Sequence, residues 1–306
     1  MAATGALATG KQAGSRRPGV GRLWRLMKAF PLGAIGAVFV SLLILMALFP
    51  GLFMVLDTQD PLKQRVLESL RAPSAVHWFG TDELGRDLYA RIVYGARTAT
   101  LIGVLVVLIS QSLAMLIGVV SGYYGGWRDS ILQRFVDVGM SVPWLVTIIL
   151  VVQTLVGRVP GLLAIILAVG VLLSVSASRI VRGVTLSVAA EQYVEAARAL
   201  GATDARIMFR HIVPNVFPIT IVSASILVGS AVLIESSLSF LGYGVQPPTP
   251  SWGRMLSDAR ENLVNAPHIA FFPGLLIFMT VFSCNMLGDA LRDRLDPRLR
   301  GSREMG

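Results

Sequence analysis

Few side chains in this sequence combine a chemically useful type with a setting that would make use of it. Glu235 stands inside an otherwise apolar run, SAVLIESSLSFL. A carboxylate turned toward lipid there would cost at least about 2.5 kcal/mol. It must therefore face a pathway, a partner subunit or a buried polar group, with bonding to neighbouring hydroxyls as the structural alternative. Gln111 and Gln153 also interrupt apolar runs, and hydrogen bonding between helices is the ordinary use of such amides. Glu235, Gln111 and Gln153 are thus the candidates for lining a translocation pathway. Asp289, Asp293 and Asp296 have the spacing of a metal cluster, but Arg292 and Arg294 are interleaved with them, which suits a salt-bridged helix end. Residues 5–12, GALATGKQ, approach the phosphate-cradling pattern G-x-x-x-x-G-K-[ST]. Gln12 replaces the hydroxyl that would hold Mg²⁺, and no strand precedes Gly5. His77, His211 and His268 are far apart, and the lone Cys284 lies in an apolar run. An intrachain disulfide is excluded, and neither residue type has the spacing of a metal site. No catalytic residue and no metal ligand is assigned.

The elements that must hold these residues are helices in a bilayer. Of the 306 residues, 54% are hydrophobic and only 15% charged, with a mean hydropathy of +0.67. A soluble domain carries about 25% charged residues. A membrane crossing needs about 20 apolar residues, and six stretches supply them. They are Leu32–Leu56, Thr98–Val120, Val138–Val156, Pro160–Val175, Ile219–Leu241 and Ile269–Met286. The third and fourth are short, joined as a hairpin by Gly157-Arg158-Val159. The resulting organisation is a basic tail (1–28), a first transmembrane helix (29–56) and an extracytoplasmic segment (57–97). A five-helix core (98–289) and a second tail (290–306) follow.

Charge sets the orientation. The first tail has six basic residues and no acid. If it lies inside, the 121–137 loop, residues 179–218 and the end of the chain lie inside too. Those regions hold eighteen of the 27 basic residues. This asymmetry is the positive-inside bias, so both termini are expected in the cytoplasm. It also accounts for the net charge of +9 without nucleic acid, since the charges gather on no soluble domain. The first span is too long for the apolar region of a cleaved signal.

Residues 179–218 are then a polar island on the cytoplasmic side, and its spacing predicts helix, glycine turn, helix. Ala189–Leu200 is rich in helix formers, with Glu195 and Arg198 placed to pair. Gly201 supplies a stop that tolerates positive φ. Thr203 and Asp204 are N-cap candidates for a second short helix carrying Ile207, Met208 and Ile212, which Pro214 should end. Such an island is a solvated amphipathic loop, a helix-turn-helix reader of DNA, or a docking knob for a cytoplasmic partner. Tethering to the bilayer at both ends counts against the DNA reader.

Five ordered motifs resemble those of one family. Glu195-Ala196-Ala197, three residues, Gly201, then Pro214 matches the pattern EAA-x3-G-x9-I-x-L-P of ATP-binding-cassette importer permeases, with His211 and Val213 departing from its tail. Arg210–Asn215, RHIVPN, is similar to the variant of the dipeptide, oligopeptide and nickel branch. So are FGTDELGRD (79–87, followed by YGAR at 94–97), SLSFLG (237–242), QPPTPSWG (246–253) and LGDALRDRLDP (287–297). The resemblance covers about residues 77–300 and points to the C-type permease of a peptide importer.

The resemblance implies an all-α integral membrane protein of six transmembrane helices with the type I importer permease fold, in a bacterial cytoplasmic membrane. It implies a heterodimer with a second permease subunit, two ATP-binding subunits and an extracytoplasmic substrate-binding protein. ATP and Mg²⁺ would be bound by the ATPase subunits, with no cofactor in this chain. Glu195, Ala196, Ala197, Gly201, Asp204, Arg206 and Pro214 become candidates for coupling to the ATPases. Glu195 meets a partner arginine or pairs within its own helix, and Arg198, Arg206 and Arg210 are coupling residues or solvated inside charges. The expected cargo is a di- or oligopeptide, with glutathione or nickel as alternatives. A secondary transporter using Glu235 as ion site is the rival of another class, although no clear internal repeat supports it.

Overall fold

The computed structural model describes residues 31–56 and 58–295. The basic tail, the GALATGKQ stretch, Asp296 and the end of the chain lie outside the described residues. Helix α1 (Pro31–Leu48) is shorter than the expected first span. Pro50 lacks the N–H that would continue the helix and opens a 3₁₀ turn, Pro50–Phe53. Residues 58–87 then form a folded segment stitched by its own backbone. Arg65 N–H bonds Leu84 O at 3.1 Å, and Thr81 N–H bonds Arg71 O at 3.0 Å.

Helix α2 (Leu88–Tyr124) spans 37 residues, about 55 Å at the α-helical rise. Asp87 caps it by accepting from Ala90 N–H at 2.9 Å, and its other oxygen meets His77 Nδ1 at 2.8 Å. Asp87 thus forms no ion pair with Arg91, four residues further along the helix. Arg91 lies 3.3 Å from Asp82 instead, which also holds Arg86 at 2.7 Å.

The third expected span is broken. Helix α3 (Gly126–Ser141) and helix α4 (Trp144–Leu155) meet at 95°. Pro143 causes the break by forcing the residue before it out of helical geometry, and Val142 is extended (φ −90°, ψ 138°). The expected hairpin turn follows at Gly157 (φ +86°). Helix α5 (Gly161–Ala189) runs well past the fourth span.

The two island helices, α6 (Gln192–Ala199) and α7 (Asp204–Ile207), come next. Pro214 does not end the second of them. A π turn, Met208–Ile212, widens the helix so that Val213 N–H reaches back five residues to Met208 O. The chain continues directly into α8 (Val213–Phe240), with Pro214 in its first turn, where a missing N–H is tolerated. A short α9 (Trp252–Asp258), a 3₁₀ turn (Ala259–Asn262) and α10 (His268–Leu295) complete the described chain. No strand occurs among the described residues, only two isolated bridges. Among the described residues five helices are long and apolar enough to cross a membrane, or six if the bent α3–α4 pair counts as one crossing.

The tightest seam joins α2 to α5. Ser110, Ala114, Gly118 and Gly122 recur every fourth residue and are all buried. A Cβ on Gly118 would stand 2.6 Å from the Val181 side chain and 2.7 Å from Ser178 O. Backbones can approach this closely only where side chains are small, as is usual between helices in lipid. The buried hydroxyls of Ser178 and Thr185 donate to carbonyls of their own helix, to Val175 O at 2.7 Å and Val181 O at 2.8 Å. Neither is left unpaired in the seam. Three apolar clusters stack along the bundle. One joins α1, α2, α8, α9 and α10, a second joins α2, α4, α5 and α8, and the third lies beneath the island.

Candidate functional site

The island is anchored from below. Val194 of α6, Ile207 of α7 and Ile212 of the π turn are fully buried against Ala114, Val119, Ala177, Val181 and Val216 of the long helices. Burial of these side chains fixes both short helices to the bundle, since neither is long enough to stand alone in water. Between them Gly201 takes φ +82°. Its N–H bonds Arg198 O at 3.0 Å, and Ala202 N–H bonds Ala197 O at 3.1 Å. This left-handed cap is the stop that sequence spacing called for. Thr203 caps α7 by accepting from Arg206 N–H at 3.4 Å.

Asp204 has a different use. Its carboxylate accepts from the Tyr123 hydroxyl at 2.8 Å, which ties α7 to the last turn of α2. Arg198 likewise leaves its expected partner Glu195 and lies over the Tyr123 ring, 5.7 Å from the centroid. Tyr123 therefore fastens both island helices. Sequence reading missed it because Tyr123 lies about 80 residues away along the chain, at the end of another apolar run.

What remains for a partner faces outward. Glu195, Ala196, Arg206, Arg210 and Pro214 are exposed, and Ala197 is half-buried. The apolar tip is not built from Ile207 and Ile212, which point inward. It is Leu200 and Phe209, 89% and 75% exposed. Both side chains stand free of the apolar cluster beneath the island and are open to contact from outside. Their signal in the sequence was an apolar residue next to the glycine stop and another immediately before RHIVPN.

Glu235 lies 2% exposed in α8, surrounded by hydroxyls. Ser239 and Ser251 donate to one carboxylate oxygen at 2.6 and 2.7 Å, and Ser236 reaches the other at 3.5 Å. Ser251 is the N-cap residue of α9, and Ser239 Oγ also accepts from Val245 N–H at 3.1 Å. The acid thus clasps the SLSFLG segment to the PSWG turn. Of the two glutamines, Gln153 is exposed on α4, whereas Gln111 is buried in α2 and its amide makes no hydrogen bond among the described residues.

A cavity of about 570 Å³ opens at the 95° bend, lined by Met140, Val142, Trp144, Leu172 and Ile234, with Ser141 and Ser176 as its hydroxyls. No charged side chain lines it. Such a wall suits passage of a molecule by shape and dispersion rather than retention by an ion pair. Among the described residues no group of His, Cys, Asp and Glu is placed to hold a metal ion.

Comparison with known proteins fits this geometry. Residues 114–301 match the family described as "Binding-protein-dependent transport system inner membrane component". The chain is 39% identical over 277 residues to the glutathione transport system permease protein GsiD of Pectobacterium atrosepticum, covering 90% of each chain. It is 39% identical over 278 residues to the protein of the same name from Escherichia coli O6:K15:H31, covering 91% of this chain and 90% of that one. Among solved structures, an amino acid ABC transporter crystallised with histidines superposes with a TM-score of 0.50 at 17% identity, over 67% of this chain and 94% of that one. The last likeness concerns the fold alone.

Proposed function

Because this chain belongs to the family of binding-protein-dependent inner-membrane transport components and is the permease subunit of an ATP-binding-cassette importer, we propose that it passes short peptides inward, driven by ATPase subunits that dock on residues 190–212. The observation that carries this reading is the island itself. Two short helices are anchored by buried Val194, Ile207 and Ile212, turned by Gly201, and crowned by exposed Leu200 and Phe209. Glu195 and Ala196 lie on the exposed side of α6, in reach of a groove on a partner. The excess of basic residues in the same regions supports a cytoplasmic position for the island and for both termini.

The chain carries no chemistry of its own in this account. ATP and Mg²⁺ belong to two ATPase subunits, cargo capture belongs to an extracytoplasmic binding protein, and a second permease completes the pathway. The uncharged cavity at the α3–α4 bend accommodates peptides without selecting among them. Glutathione, a tripeptide, is the specific cargo that the relatives' names suggest, with other di- and oligopeptides next. Reconstituted uptake of labelled glutathione, dipeptides and Ni²⁺ with the full set of subunits tests this directly. Uptake of a peptide supports the assignment; transport of Ni²⁺ and of no peptide overturns it.

A further inference from the structure

Helix α3 leads directly into the 95° bend that frames the cavity, yet it is poorly anchored by apolar contacts. Val136 is the only residue of its sixteen that is buried. Polar ties hold it instead. Asp129 accepts from Arg182 of α5, with Nε at 2.7 Å, and from the hydroxyl of Ser121 in the last turn of α2. Gln133 donates to the same Ser121 hydroxyl at 3.0 Å, and Asp137 pairs with Arg179. Two residues beyond Ser121, on that same turn, Tyr123 donates to Asp204 and carries Arg198 over its ring.

We propose that the last turn of α2, residues Ser121–Tyr124, is the relay between the docked island and the broken helix pair, with Tyr123 and Asp129 as its positioning residues. The proposal rests on the island being the ATPase-coupling element. Hydroxyl-to-carboxylate bonds are directional, whereas the apolar packing that holds the island to the bundle is not. A displacement of α6 and α7 therefore pulls on Tyr123, and the same turn pulls on Asp129 through Ser121. Because α2 is locked to α5 along its small-residue seam, the turn moves with both helices rather than bending alone. Helix α3 has few other holds and follows, opening or closing the wall formed by Met140, Val142 and Trp144.

The test uses the complete transporter in liposomes, supplied with binding protein and labelled peptide, and reads cargo moved per ATP hydrolysed. Both rates are taken on purified, fully assembled complex, so a fraction that fails to fold does not enter the ratio. Tyr123→Phe and Asp129→Ala should each lower it by roughly two- to thirty-fold, the range open to residues that modulate coupling between sites. Asp204→Asn keeps an acceptor for the tyrosine and should retain the ratio, while Asp204→Ala should mimic Tyr123→Phe. If the two ties act in series, Tyr123→Phe combined with Asp129→Ala should be no worse than the larger single effect. A double variant showing the product of both effects means independent contacts and overturns the relay, as does a normal ratio in Tyr123→Phe. A normal ratio in Gly201→Leu would instead remove the coupling role of the island on which the relay depends.

Discussion

At Gly201 a side chain would strain the backbone rather than collide with a neighbour. The residue sits at φ +82°, and no heavy atom lies within 4 Å of the position a Cβ would take. Leucine there costs about 1–2 kcal/mol in backbone strain and tilts Leu200 and the start of α7 away from their present positions. Gly201→Leu is expected to leave an assembled transporter whose ATP hydrolysis no longer drives uptake, measured as cargo per ATP in liposomes. Glu235 makes the opposite kind of claim. Its carboxylate accepts from Ser239 and Ser251 in the interior, so a glutamine oxygen can take over most of that role. Glu235→Gln should keep uptake near the parent level. Glu235→Leu strands the hydroxyls, at about 1–3 kcal/mol for each group left unpaired, and should lower the unfolding temperature. Loss of uptake in Glu235→Gln with unchanged stability would give the charge a direct role in transport.

Among the helices, the α2–α5 seam and the α3–α4 break are the decisive features. Gly118 has no room for any side chain, with a backbone oxygen 2.7 Å from the would-be Cβ. Gly118→Leu should destabilise the bundle by about 3 kcal/mol, the upper end for overpacking. The check is loss of monodisperse protein in detergent, and normal unfolding behaviour would contradict the seam. These elements were unequally legible in the sequence. Hydropathy alone located the spans beginning at Thr98, Pro160, Ile219 and Ile269, since each falls, to within one residue, inside a helix long enough to cross a bilayer. The glycine turn of the island was also readable, since positive φ has few other solutions. The apolar count gives one unbroken span over Val138–Val156 because it is blind to direction, although Val142-Pro143 carries the reason for the bend. Pro214 misled for a related reason: a proline stops a helix interior, but a π turn just before it lets the helix start again. The pairings of Arg91 and Arg198 are decided by residues distant in the chain or in the folded 58–87 segment, which local i,i+3 and i,i+4 spacing cannot anticipate.

The whole molecule is a permease subunit of an importer, and in the proposed function its energy arrives at one face and its cargo at the other. The folded segment 58–87 and the Glu235 clasp stiffen one end of the bundle, the island and the Tyr123 ties organise the opposite end, and the bent pair lies between them. The most direct measurement is peptide uptake into liposomes containing this chain and its partner permease, with binding protein outside and the ATPase subunits either present or omitted. Uptake is expected only when the ATPases and internal ATP are both present. Accumulation of peptide without the ATPases, driven by a proton or sodium gradient, would contradict the account.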